Sequence, residues 1–140
     1  MRNILLILCL FLSFTTKAQD LESNDLRRFG NYQSPTPAKF RLYPTWNRFT
    51  YLRLNTTNGF IDIVQYSTTE EQESMIYPLS VYPVVMDFFN LGTLDRFTIY
   101  PTQNVYNFLL LDQVYGDTYQ VQWSQDSTMR GVQQILKKSK

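Results

Sequence analysis

Histidine is absent from all 140 residues, and the single cysteine, Cys9, lies within the first ten. Without histidine there is no imidazole base and no imidazole metal ligand, and one cysteine forms no intrachain disulfide. Charge of one sign is missing as well, with 13 Lys and Arg against 12 Asp and Glu. Nucleic-acid surfaces need a basic excess, so that partner class is excluded. The only basic cluster is Lys137, Lys138 and Lys140 in the terminal "KKSK", which reads as a solvated tail.

Long hydrophobic runs are confined to the start, "MRNILLILCLFLSFTTKAQD". Arg2, an apolar stretch from Ile4 to Phe14, and small or polar Thr16 and Ala18 have the form of a secretory signal peptide, too short for a permanent span. Cleavage is expected after Ala18, which gives a signal peptide over 1–18, leaves Gln19 first and discards Cys9. An uncleaved N-terminal anchor is the alternative. Processing also removes Arg2 and Lys17, so 11 basic residues then face 12 acidic ones and the net charge is about −1. No membrane span is expected in what remains.

Aromatic residues are abundant, with ten Tyr and ten Phe, a bias that favours strands. They recur in order. "FRLYPTWNRFTYLRLNTTNGFIDIVQYS" (40–67) aligns without a gap to "FTIYPTQNVYNFLLLDQVYGDTYQVQWS" (97–124) at an offset of 57, with 11 of 28 positions identical. Duplication of one supersecondary unit is the economical reading. Each copy reads as an antiparallel meander. A strand ends at Pro44 or Pro101, and a second follows in "FTYLRL" or "YNFLLL". An Asn- or Asp-initiated turn closes on Gly59 or Gly116, and a third strand reaches "VQYS" or "VQWS". "SMIYPLS" and "GVQQILKK" are candidates for a fourth, edge strand in each copy.

Period-two alternation puts Leu52 and Leu54, with Leu109 and Leu111, on the expected core face, joined by Val64 and Tyr66 or Val121 and Trp123. One meander alone would leave that face wet. The fold expected is therefore all-β, two tandem three- to four-stranded meanders packed with pseudo-twofold symmetry as a small sandwich or partly closed barrel. A lead-in (19–39) precedes one domain (40–140), in which a linker (68–96) joins the copies.

At "YPTQNVYNFLLLDQ" and "VQWS" the chain resembles small secreted proteins of Bacteroidetes bacteria, in which units of the form YPTxNxxxFLxLDxxxGxxxQVQWS recur in tandem. The resemblance covers both copies, the second more closely, since Arg53, Asn55 and Tyr66 depart from the pattern in the first. It implies a Gram-negative periplasmic or outer-surface location and the tandem architecture. It carries no activity, cofactor or catalytic residue.

Catalysis would have to come from carboxylates, a Ser–Lys pair or an oxygen-ligated metal. Asp62, Asp112 and Asp117 lie near the hairpins, but Asp62 aligns with Tyr119, and turn chemistry accounts for Asp112. Ser67 and Ser124 sit where strands end. Glu70, Glu71 and Glu73 lack calcium-loop spacing and read as a solvated loop. Neither an enzyme nor a cofactor is expected. The candidate functional surface is an aromatic and amide face of Tyr43, Trp46, Tyr51, Gln65, Tyr100, Tyr106 and Gln122, the mixture that sugar- and peptide-binding surfaces use. The function expected is a non-enzymatic envelope module binding a protein or glycan. A structural envelope protein or a secreted inhibitor or immunity-type partner is the alternative. The same face could instead be covered by the linker, through Tyr77, Tyr82, Phe88 and Phe89, or by a second copy in a homodimer.

Overall fold

A computed structural model describes residues 35–86 and 92–138. The expected signal peptide, nearly all of the expected lead-in, and Phe88 and Phe89 lie outside these residues. From Gln33 onward the chain is one compact unit. It is a sandwich of two four-stranded antiparallel meanders. The first sheet holds β1 (Phe40–Pro44), β2 (Thr50–Asn55), β3 (Ile61–Gln65) and β4 (Met75–Pro78), in that order. The second holds β5 (Phe97–Pro101), β6 (Asn107–Asp112), β7 (Thr118–Gln122) and β8 (Gly131–Gln134). Both edge strands proposed from sequence form. No helix among the described residues is long and apolar enough to cross a membrane.

Three of the residues identical in the two copies, Thr45, Asn47 and Gly59, are hairpin machinery. The Thr45 hydroxyl donates to the Thr50 carbonyl at 2.8 Å, and the Thr102 hydroxyl donates to the Asn107 carbonyl at 2.8 Å. The Asn47 side chain accepts from Phe49 N at 2.9 Å, and Asn104 accepts from Tyr106 N at 3.0 Å. Each pair fastens the loop between the first two strands, the role short polar side chains play in turns. Gly59 and Gly116 adopt φ of 76° and 75°, the left-handed region a hairpin bulge demands. Tyr66 and Trp123 differ in ring yet act alike. The Tyr66 hydroxyl donates to Arg48 O at 3.0 Å, and the Trp123 indole N–H donates to Val105 O at 2.9 Å.

The faces do not follow the alignment, which corrects the expected core. In the first sheet Tyr43, Leu52, Leu54, Ile61 and Ile63 are buried together. Register places Tyr43 beside Leu52 and Leu52 beside Ile63, so Tyr43 belongs to the core face and not to the opposite one. In the second sheet the buried residues are Phe97, Ile99, Phe108, Leu110, Val121 and Trp123. Leu109 and Leu111, the counterparts of Leu52 and Leu54, point outward, with Leu109 exposed and Leu111 half-buried. A twofold joining equivalent faces would bury all four leucines. The sheets meet instead through non-equivalent faces. The reason lies in the polar residues: Thr118 and Gln120 stand where the first sheet has Ile61 and Ile63, whereas Leu110 stands where it has Arg53. Each sheet turns inward its more continuously apolar side.

The linker fastens the second sheet to the first. Phe97 N donates to Thr56 O at 2.8 Å, and Val85 N donates to Asn58 O at 3.0 Å. Arg41 grips Asp95 through two hydrogen bonds of 2.6 and 3.0 Å. That pairing, against a smaller opposing effect of burial, holds the Asp95 carboxyl below its ordinary value. From this segment Tyr77, Val84 and Val85 pack against the core, while Tyr82 is exposed.

Candidate functional site

The seven aromatic and amide residues singled out from sequence do not form one face. Tyr43 is buried, its hydroxyl 3.4 Å from the Thr98 hydroxyl, and burial raises its ionisation above the ordinary phenol value. Gln65 ends β3, half-buried on that same inward side. Tyr51 lies on the outer side of the first sheet, its ring 6.2 Å from that of Tyr66. Tyr100 and Gln122 lie on the outer side of the second sheet. Only Trp46 and Tyr106 come together.

They do so because the β1–β2 loop of the first sheet reaches the loop end of the second. A cleft of about 440 Å³ opens there, lined by Trp46, Asn47, Val105, Tyr106, Trp123 and Gln125, with Ser124 beside them. Its walls are set by chemistry already described. The Thr45 and Asn47 hydrogen bonds fix the first loop, and Asn104 fixes Tyr106. The indole N–H of Trp123 is bonded to Val105 O. The Tyr106 and Trp123 ring centroids are 5.9 Å apart, close enough for a tilted pair. Trp46 and Tyr106 are each more than half exposed, whereas Trp123 is buried. The cleft thus has an aromatic floor, two exposed rings, and amide and hydroxyl groups at its rim.

Trp123, Val105, Asn47 and Gln125 were not singled out for this site from sequence. Their convergence depends on how one sheet packs against the other. The counterpart of Trp46 in the second copy is Gln103. Trp46 lies in the loop that meets the other sheet, and Gln103 is exposed.

Two of the three candidate carboxylates go to ion pairs, while Asp117 stays in the β6–β7 turn beside Asp112. Asp62 accepts from Arg53 at 2.7 Å on the outer side of the first sheet, and Asp112 accepts from Arg96 at 2.6 Å in the second. They belong to different sheets and do not converge. Burial alone would raise the Asp112 carboxyl, but the Arg96 hydrogen bond and the N–H groups of Val114 and Tyr115 outweigh it and hold it below the ordinary range. Glu70, Glu71 and Glu73 are exposed, and among the described residues no group of three acidic, His or Cys side chains is placed to hold a metal.

No protein-family model, curated protein or solved structure matches this chain.

Proposed function

We propose that this protein is an exported, non-enzymatic binding module of a bacterial cell envelope, and that it takes a glycan in the cleft of Trp46, Tyr106 and Trp123. The observation that carries the reading is this cleft, in which exposed ring faces stand beside the Asn47 and Gln125 amides and the Ser124 hydroxyl. Sugar rings offer C–H faces that pack on aromatic planes and hydroxyls that pair with amides. The signal-peptide pattern supports export, and the resemblance to secreted Bacteroidetes proteins supports a periplasmic or outer-surface location. Intact mass of the native protein checks export, with loss of residues 1–18 as the expected result.

Trp46 and Trp123 are the only two tryptophans, so intrinsic fluorescence reports on the cleft. Titration with soluble oligosaccharides, chosen by glycan array, is expected to shift or quench this emission. Trp46→Ala should weaken that binding at least tenfold and change stability by no more than about 1 kcal/mol, because the ring is half in solvent. Binding by Trp46→Ala as tight as by the parent protein contradicts the reading, as does an array on which no glycan binds. A peptide ligand that perturbs the same emission would transfer the cleft to protein recognition.

A further inference from the structure

Every molecule keeps outside a copy of each face that it joins inside. The inward face of the first sheet carries Tyr43, Leu52 and Ile63, and the inward face of the second carries Ile99, Leu110 and Val121. Shifted by 57 residues, the counterparts of the first set are Tyr100, Leu109 and Gln120, which register places side by side on the outer face of the second sheet. The counterparts of the second set are Leu42, Arg53 and Val64, all on the outer face of the first sheet. The internal junction therefore joins two unlike faces, and the outside of the protein presents a counterpart of each, with Arg53 in place of Leu110 and Gln120 in place of Ile63.

We propose that the protein assembles head to tail with itself, the outer face of the first sheet of one copy seating on the outer face of the second sheet of the next. A contact between unlike faces is heterologous and does not stop at two copies unless the rotation closes a ring. This differs from a homodimer, in which one face meets itself, and it is independent of the Trp46 cleft.

Two observations favour a second copy as the occupant. The first is the apolar residue set that the outer faces keep: Leu42 and Ile76 are each 53% exposed, and Tyr100 is 48% exposed, so a partner face would take apolar surface out of water. The second is where the polar exchanges fall. The core holds the cross-strand pair Leu110 and Tyr119, and the outer first sheet has the Arg53–Asp62 ion pair at that place. The core holds Ile61 and Ile63, and the outer second sheet has Thr118 and Gln120. Both outer faces are therefore polar in part, the first across its second and third strands and the second along its third. These polar residues make the contact weaker than the internal one and keep the separated protein soluble, as polar capping faces do in repeat arrays.

Sedimentation of the native protein across micromolar to millimolar concentration tests this. The average mass is expected to rise past that of a dimer, without limit for an open stack or to a fixed value for a closed ring. Leu42→Lys blocks the first face and Leu109→Lys the second. Each alone should run as a monomer, and an equal mixture should give a one-to-one dimer joined through the two unblocked faces. Thermal midpoints check folding, and Phe40→Lys with Tyr100→Lys form a second pair should either variant unfold. Three results overturn the proposal: a native protein monomeric throughout, one blocked variant that still dimerises by itself, or a mixture that fails to pair. The first, together with loss of stability in Leu42→Lys, would mean that another segment of the same chain covers the face.

Discussion

Alanine at Leu54 or at Leu110 is expected to lower unfolding free energy by about 2–5 kcal/mol, and alanine at Leu111 by much less. Leu54 and Leu110 are fully buried in one core. Truncating either removes contacts from both sheets and leaves a cavity that strands locked in register cannot collapse to fill. Leu111 is the aligned counterpart of Leu54, yet it is half-buried on the outer side, where solvent replaces lost methyl groups. Urea midpoints at constant slope measure the difference. A ranking in which Leu111→Ala is as damaging as Leu54→Ala, with Leu110→Ala mild, would contradict the assignment of faces.

Asp112→Ala is expected to cost about 3 kcal/mol at neutral pH. Its carboxylate is almost fully buried and accepts from Arg96, Val114 N and Tyr115 N. Arg96 is itself held over the rings of Phe97 and Tyr115, at 5.0 and 4.9 Å. Removing the carboxylate leaves a largely buried guanidinium without its counter-charge. Asp112→Asn should fall between, because the first sheet places Asn55 at this position and its side-chain oxygen accepts from Thr57 N at 3.1 Å. The folded Asp112 pKa lies below the unfolded value, so its contribution is complete above about pH 4 and is lost as pH falls through the folded value. Asp95 has the same sign. The parent protein should therefore lose stability in acid faster than Asp112→Asn, and the gap between them should narrow. A gap constant down to pH 2 would show that the ion pair does not carry the effect.

What could be read from sequence and what could not divide along a physical line. Strands and turns are local. Pro44, Asn47, Gly59 and their counterparts specify where the chain bends, and the strands of the second sheet begin and end where those hairpin signals place them. Alternation along a strand says which residues share a face, but it does not say which face is inward when both are apolar. "NFLLLD" is such a case, with Phe108 and Leu110 on one side and Leu109 and Leu111 on the other. Copying the first sheet's orientation onto it gave the wrong core. The available signal lay one strand away, where Thr118 and Gln120 make the Leu109 side polar.

The candidate site was less legible for the same reason. Trp46 and Tyr106 can be singled out as members of an aromatic and amide face, and the cleft brings those two together. Trp123 entered as a core residue, which it also is, since its ring closes the sandwich and floors the cleft. Tyr43 belongs to the core face because the β1–β2 register puts it beside Leu52, and alternation within β1 alone does not set that register. Sites assembled from two sheets depend on their packing, and no spacing within either copy encodes that.

The packing of unlike faces is tested most directly by thiol accessibility. Single cysteines at positions 53, 54, 110 and 111, introduced as Arg53→Cys, Leu54→Cys, Leu110→Cys and Leu111→Cys in a Cys9→Ser background, would each be the only thiol in the chain. Labelling of the folded protein at low concentration is expected to be fast at 53 and 111 and strongly protected at 54 and 110. Protection at 54 and 111 together, with rapid labelling at 53 and 110, would mean that the sheets join through equivalent faces and would contradict the account.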